Sequence, residues 1–95
     1  MYVIRDEFTA RPGKASALAA LMKSVMTGVL PTADVRVLTD FIGPFNTVVM
    51  ETRVADLGAF EQMMREYTTR QDVRDKMKGY TEMYERGRRE VWREV

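Results

Sequence analysis

The chain has 95 residues, of which 45% are hydrophobic and 31% are charged. Residues 1–95 can therefore form one domain with its own core, which excludes a disordered chain. The 15 lysines and arginines nearly balance the 14 aspartates and glutamates, so no long-range field attracts nucleic acid. The absence of cysteine and histidine excludes disulfides, thiolate catalysis and histidine-containing metal sites, and we expect neither a metal nor a cofactor.

The first residues and the longest apolar segment bear on localisation. Arg5, Asp6 and Glu7 bring charges to the start of the chain, where a secretory signal would have a long apolar run. Residues 15–30 are interrupted by polar side chains and are too few to cross a bilayer. We therefore expect a cytoplasmic protein without an export signal or a membrane span.

Alternating polarity predicts three strands in the first half of the chain, and helical spacing predicts one helix between the first two of them. Residues 2–8 alternate and predict the first strand, and apolar residues at helical spacing then predict a helix over about 13–28. Residues 34–41 and 45–54 alternate again and predict a hairpin with a tight connection. Phe41 is expected on the face of this hairpin that meets the helices.

Helical spacing dominates the next part of the chain. Asp56 is expected to cap a second helix over 57–68. Residues 71–86 continue the helical pattern and predict a third helix, which Gly79 bends or splits. Gly87 is expected to end this helix.

The last eight residues, 88–95, carry Val91 and Trp92 among charges and predict an edge-like fourth strand. The resulting order is the ferredoxin-like split β-α-β-β-α-β arrangement of the α+β class, with a four-stranded antiparallel sheet and the helices on one face. The opposite face mixes both charge signs with apolar residues. A second copy of the chain is expected to pack on this open sheet face and form a homodimer.

Three segments resemble known proteins. They are Tyr2-x-x-Arg5-x-x-Phe8 with the turn Arg11-Pro12-Gly13-Lys14, the hairpin segment Gly43-Pro44-Phe45-Asn46-Thr47-Val48-Val49, and Val91-Trp92-Arg93 after a short helix. They are similar to the dimeric α/β-barrel superfamily, in particular to NIPSNAP-like and antibiotic-biosynthesis-monooxygenase-like proteins. The resemblance implies a homodimer whose sheets form a barrel, with a pocket between sheet and helices in each subunit. Because the chain has no histidine, the usual haem ligand, we do not expect the haem-degrading activity of some members.

Asp6 is the only candidate for a catalytic group. It lies on the otherwise apolar face of strand one, where an unpaired carboxylate costs free energy. In an enzyme it would be a general base. The simpler interpretation, which we prefer, places Asp6 near a strand end or in a bulge, where it reaches water.

Other side chains are candidates for a ligand site. Four aromatic residues suit a small apolar or aromatic ligand or, in the interpretation that we prefer, a core: Tyr67, Tyr80 and Tyr84 at helical spacing, and Trp92 on the last strand. Asn46 is explained by turn chemistry or by ligand binding, and Arg5 by a cross-strand ion pair or an anionic ligand. The eight methionines suit a pliable binding cavity or a soft metal site, but we prefer to place them in the core. Arg88 and Arg89 are expected on a solvated face or dimer rim.

Two functions remain open. One is a homodimer that binds a small molecule, for which the resemblance implies cofactor-independent monooxygenation or cyclisation in secondary metabolism. The other is a dimerisation or partner-binding module without catalysis. A cavity between sheet and helices distinguishes them, because only the first function needs one.

Overall fold

The structure is a computed structural model that describes residues 1–29 and 34–95. It confirms the split β-α-β-β-α-β order. The elements are β1 (Tyr2–Ala10), α1 (Ala15–Val29), β2 (Asp34–Thr39), β3 (Thr47–Val54), α2 (Leu57–Thr68), α3 (Gln71–Met77), a 3-10 helix (Tyr80–Glu82) and β4 (Tyr84–Arg93).

The four strands form one antiparallel sheet in the order β2-β3-β1-β4. The hydrophobic core lies between one face of this sheet and the helices. Ile4 of β1, Val48 of β3 and Leu18 of α1 are almost fully buried there. Because side chains alternate along each strand, the other half of the residues point to the opposite face, which no described helix covers.

The turn between β1 and α1 delays the start of the first helix. Gly13 has a φ of 81°, a left-handed conformation that favours glycine and has no place inside a right-handed helix. The backbone N–H of Lys14 donates to the carbonyl of Arg11 at 2.9 Å and closes the turn. The helix therefore begins at Ala15, two residues later than the sequence pattern predicts.

The connection between β2 and β3 is longer than predicted. It spans residues 40–46, and Phe41 lies in it with 96% of its surface exposed, not on the helix-facing side of a strand. Asn46 has a φ of 63°, a conformation in which asparagine is enriched. The backbone N–H of Thr47 donates to Oδ1 of Asp40 at 2.9 Å and fixes the loop. The expected tight turn is therefore wrong.

The second helix follows the prediction closely. Asp56 has extended backbone angles, and its Oδ1 accepts the backbone N–H of Ala59 at 3.1 Å. This is the arrangement of an N-cap, which satisfies a donor that has no partner within the helix. Phe60 and Tyr67 are the buried side chains of α2.

The third helix is much shorter than the predicted span 71–86. Gly79 has a φ of 83°, so the chain leaves the helical path just after α3 and continues through the 3-10 helix into β4. Tyr84 opens β4, although its distance from Tyr80 along the chain matches helical spacing. Gly87 lies within that strand and ends no helix. The predicted last strand, 88–95, overlaps the second half of β4 and extends two residues beyond its end at Arg93.

Candidate functional site

A cavity of about 190 Å³ lies between the sheet and the helices. Its lining is mostly apolar and includes residues of β1, β3, β4 and all three α-helices. Tyr67, Tyr80 and Phe8 contribute aromatic rings. The largest group is methionine, and we call these residues the cavity methionines: Met22, Met26, Met50, Met64 and Met77.

Asp6 and Arg89 form an ion pair that lines this cavity. They lie directly opposite each other on β1 and β4. Nε of Arg89 donates to Oδ1 of Asp6 at 2.6 Å, and Nη2 donates to Oδ2 at 3.4 Å. Asp6 is 5% exposed, whereas the Arg89 side chain is 54% exposed.

The preferred interpretation of Asp6 is therefore wrong. Asp6 lies in the middle of β1, away from the register shift at Thr9 and Ala10, and it is buried. Its charge is compensated by the Arg89 guanidinium, which satisfies both carboxylate oxygens while part of the arginine side chain stays in water. Arg89 lies on the helix-facing side of the edge strand β4, and the expected exposure to solvent is present, with 54% of its side chain exposed.

The hydroxyl of Tyr67 already has a structural partner. It donates to the carbonyl oxygen of Val25 in α1 at 2.8 Å. Burial raises the pKa of the Tyr67 phenol, and the Arg70 guanidinium, which lies 5.2 Å from the ring centroid, acts in the opposite direction. The ring of Tyr67 thus lines the cavity while its hydroxyl ties α2 to α1.

Tyr80 and Tyr84 lie side by side, with ring centroids 5.8 Å apart. Tyr80 lines the cavity, whereas Tyr84 does not and packs against Phe8 with ring centroids 5.0 Å apart. Burial raises the pKa of Tyr84, and its neighbour Tyr80 adds to the effect. Tyr84 belongs to the partly buried shell of the core.

The remaining candidate residues lie outside the cavity. Arg5 is on the open sheet face and donates to Oε2 of Glu51 at 3.5 Å, so the expected cross-strand ion pair is present. Asn46 closes the β2–β3 loop. Trp92 is 56% exposed and lies on the open face at the edge strand. The structure thus brings together Asp6, Tyr67 and Tyr80 but not Arg5, Asn46, Tyr84 or Trp92.

The open sheet face carries charges that pair within the chain. Glu51 accepts from Arg36 at 2.6 Å as well as from Arg5. Arg88 donates to Glu7 across β1 and β4 at 2.9 Å. Two clefts of about 270 and 440 Å³ lie on this face; charged side chains dominate the lining of the smaller one, and the larger one mixes charged with uncharged residues.

The described ranges, 1–29 and 34–95, contain neither a carboxylate cluster for a metal ion nor a membrane-spanning helix. In this part of the chain, no group of three or more aspartate or glutamate side chains is close enough to hold a metal ion. None of its helices has the length and the apolar character needed to cross a bilayer.

The sequence does not indicate Arg89 as a site residue, and for the cavity methionines it favours core packing over a binding cavity. The pattern over residues 71–86 predicts a helix that extends into β4. The sequence therefore does not define the register of the last strand or the sheet face on which Arg89 lies. The available signal for Arg89 is the alternation of side chains along a strand. Arg89 lies two residues before the apolar Val91, so both share the helix-facing side.

Solved structures with the same fold include NIPSNAP proteins. A NIPSNAP domain protein from Burkholderia xenovorans matches with a TM-score of 0.83 and 14% sequence identity, over 100% of this chain and 95% of that one. The protein Atu4242 from Agrobacterium tumefaciens matches with a TM-score of 0.86 and 11% identity, over 100% and 94%.

A candidate antibiotic biosynthesis monooxygenase from Nitrosomonas europaea also has this fold. Its TM-score is 0.73 at 13% identity, over 100% of this chain and 99% of that one. No known protein family matches the sequence, and no curated protein is similar to it. The resemblance to NIPSNAP-like and monooxygenase-like proteins is therefore confirmed at the level of the fold.

Proposed function

We propose that this protein binds a small, largely apolar molecule in the cavity between its sheet and its helices. The observation that carries the proposal is the Asp6–Arg89 pair, which borders an otherwise apolar cavity. An ion pair with one buried partner is poor evidence for a stabilising role, because removing the buried charge from water costs about as much free energy as the attraction returns. An apolar cavity with few, well-placed polar groups is the usual composition of a ligand site.

The volume of the cavity suits a ligand of one ring. An apolar protein cavity of roughly 150 Å³ accommodates benzene, and this cavity measures about 190 Å³. Methionine side chains are unbranched and flexible, so a lining rich in methionine adapts to the shape of a ligand. Somewhat larger molecules are therefore also compatible with the site.

A blocked cavity tests this proposal. Met64→Trp places a larger side chain in the lining, whereas Met63→Trp changes the neighbouring, partly buried residue of α2, which does not line the cavity. We expect acetophenone and ethylbenzene to give saturation-transfer NMR signals with the wild type and Met63→Trp, and none with Met64→Trp. No signal with the wild type at millimolar probe, or equal loss in both variants, would contradict the proposal.

Catalysis is a second candidate function, and the position of Asp6 favours it. A buried carboxylate at the edge of an apolar cavity can accept a proton from a bound substrate. Cofactor-independent monooxygenation and cyclisation both require such a step at an acidic O–H or C–H group. We expect oxygen uptake with a hydroquinone substrate to fall at least about a hundredfold in Asp6→Asn. Equal uptake by the variant and the wild type would exclude Asp6 as the base.

A homodimer through the open sheet face completes the proposal. Leu38 and Trp92 expose 42% and 56% of their surfaces there. The ion pairs on the same face already compensate most charges within the chain, so a second copy meets little net repulsion. If the chain instead serves only as a dimerisation or partner-binding module, it will form this dimer and leave the cavity empty.

A further inference from the structure

We infer that the cavity selects a neutral aromatic molecule with one hydrogen-bond-accepting oxygen, in preference to a carboxylate or another anion. This inference rests on the proposed function, because it specifies the ligand class of the same cavity. It depends on three features of the lining: the net charge of the Asp6–Arg89 pair, the free donors of Arg89, and the cavity methionines.

The charge of the pair disfavours an anion. Asp6 and Arg89 are the charged side chains among the described residues that line the cavity, and their charges cancel. An anion that approached Arg89 would lie close to the Asp6 carboxylate and lose its own hydration. Because Arg89 is already paired with the Asp6 carboxylate, the site has no uncompensated positive charge to offset the cost of removing the anion from water.

Arg89 nevertheless offers hydrogen-bond donors to a neutral ligand. A guanidinium has five N–H groups, and the contacts with Asp6 use Nε and Nη2. The group lines the cavity with 54% of the Arg89 side chain exposed, so the other donors face water or a ligand. A carbonyl or hydroxyl oxygen can accept one of them without carrying a charge.

The rest of the lining favours an aromatic ring. The cavity methionines lie beside Phe8, Tyr67 and Tyr80. Thioether sulfurs make favourable contacts with aromatic edges, and aromatic pairs gain free energy in tilted or offset arrangements. A ring with one oxygen substituent directed at Arg89 matches both parts of the cavity.

Three probes of similar size separate the possible ligand classes: acetophenone is neutral with one acceptor oxygen, benzoate is anionic, and ethylbenzene has no polar group. We expect NMR titrations of the wild type to give acetophenone the tightest binding, at least about tenfold tighter than benzoate. Asp6→Asn leaves the arginine charge uncompensated and keeps the side-chain volume. We expect this variant to prefer benzoate to acetophenone.

The double variant Asp6→Asn/Arg89→Gln removes both charges of the pair and the guanidinium. It shows whether the reversed preference of the single variant comes from the uncompensated arginine charge or from misfolding. We expect it to bind acetophenone no better than ethylbenzene. Glu61→Gln disrupts an exposed ion pair with Arg65 on α2 and should leave the order of the probes unchanged.

The outcomes distinguish this inference from the proposed function. Benzoate binding as tight as acetophenone in the wild type, or an unchanged order in both the single and the double variant, would overturn the selectivity and leave the cavity as a ligand site. Failure of all three probes to bind would overturn the proposed function and this inference with it.

Discussion

At Asp6 and Arg89, the two partners of one ion pair differ in their access to water. Asp6 is buried, and the Arg89 side chain is half exposed. Loss of the aspartate charge leaves an arginine that can turn to solvent, whereas loss of the arginine leaves a carboxylate in an apolar environment. The free energy of unfolding should therefore respond asymmetrically to changes at the two positions.

We expect Arg89→Met to lower the free energy of unfolding by about 3 kcal/mol, and Asp6→Asn to lower it by about half as much. Denaturant unfolding monitored by circular dichroism measures both values. Asp72→Asn is a matched control, because Asp72 also accepts two hydrogen bonds from an arginine but lies on the surface. Its effect should be the smallest of the three. An equal loss in Asp6→Asn and Arg89→Met would contradict the asymmetry.

The Tyr67 hydroxyl gives a prediction about pH. Removal of its hydrogen bond to Val25 in Tyr67→Phe should cost about 1 kcal/mol near neutral pH. Since burial raises the pKa of this phenol above its ordinary value of about 10, its contribution is complete below that pH and is lost as the pH rises through the higher folded value.

The stability difference between the wild type and Tyr67→Phe should therefore shrink above about pH 10. Urea unfolding of both proteins at pH 8 and at pH 10.5–11 measures the change. A difference that stays constant over this range would mean that the hydroxyl does not act as a buried donor.

At the scale of elements, β4 depends on a close approach to β1. A Cβ built on Gly87 would lie 2.9 Å from Cδ1 of Phe8, closer than real Cβ contacts. The Phe8 ring is itself packed against Tyr84, which limits its freedom to move. We expect Gly87→Ala to lower the free energy of unfolding by about 1–2 kcal/mol.

Gly28→Ala is the control for this substitution. A Cβ at Gly28 meets Tyr67 at an ordinary contact distance of 3.8 Å, and alanine favours the helix. This variant should be as stable as the wild type or more stable. A Gly87→Ala protein that unfolds at the same denaturant concentration as the wild type would contradict the close packing of the two strands.

The helices and strands differ in how well the sequence predicts them. The strands β1, β2 and β3 and the helix α2 follow from local alternation, helical spacing and a cap at Asp56, all of which are local signals. The boundary between α3 and β4 does not follow, because Met77 before the break at Gly79 and Tyr80 and Tyr84 after it continue one helical spacing. Only the left-handed conformation of Gly79 ends the helix, and a glycine alone does not specify it.

The candidate site was harder to predict than the fold for the same physical reason. Asp6 was identified as an unusual polar residue on an apolar face, but its partner is 83 residues away in the chain. Pairing across strands is set by register, which depends on the tertiary fold and not on local sequence. The burial of Asp6 and the identity of its partner therefore required the structure.

At the scale of the whole molecule, the open sheet face predicts self-association. Leu38 lies on this face, and Leu57 lies on α2 with a similar exposure, 37% against 42%. We expect the wild type and Leu57→Lys to sediment as dimers at micromolar concentration, and Leu38→Lys to shift toward the monomer. A wild type that sediments as a monomer would contradict the dimer but would leave the cavity proposal standing.

The central claim is that the cavity takes up a ligand among its methionines. Spectra of protein with ¹³C-labelled methionine methyl groups, recorded during a titration with acetophenone, test it most directly. The chain has eight methionines, and the ring current of a bound aromatic molecule should shift the methyl signals of the cavity methionines. The signals of Met1, Met63 and Met83, which do not line the cavity, should stay in place. Unchanged cavity signals at saturating probe, or equal shifts of all methionines, would contradict the claim.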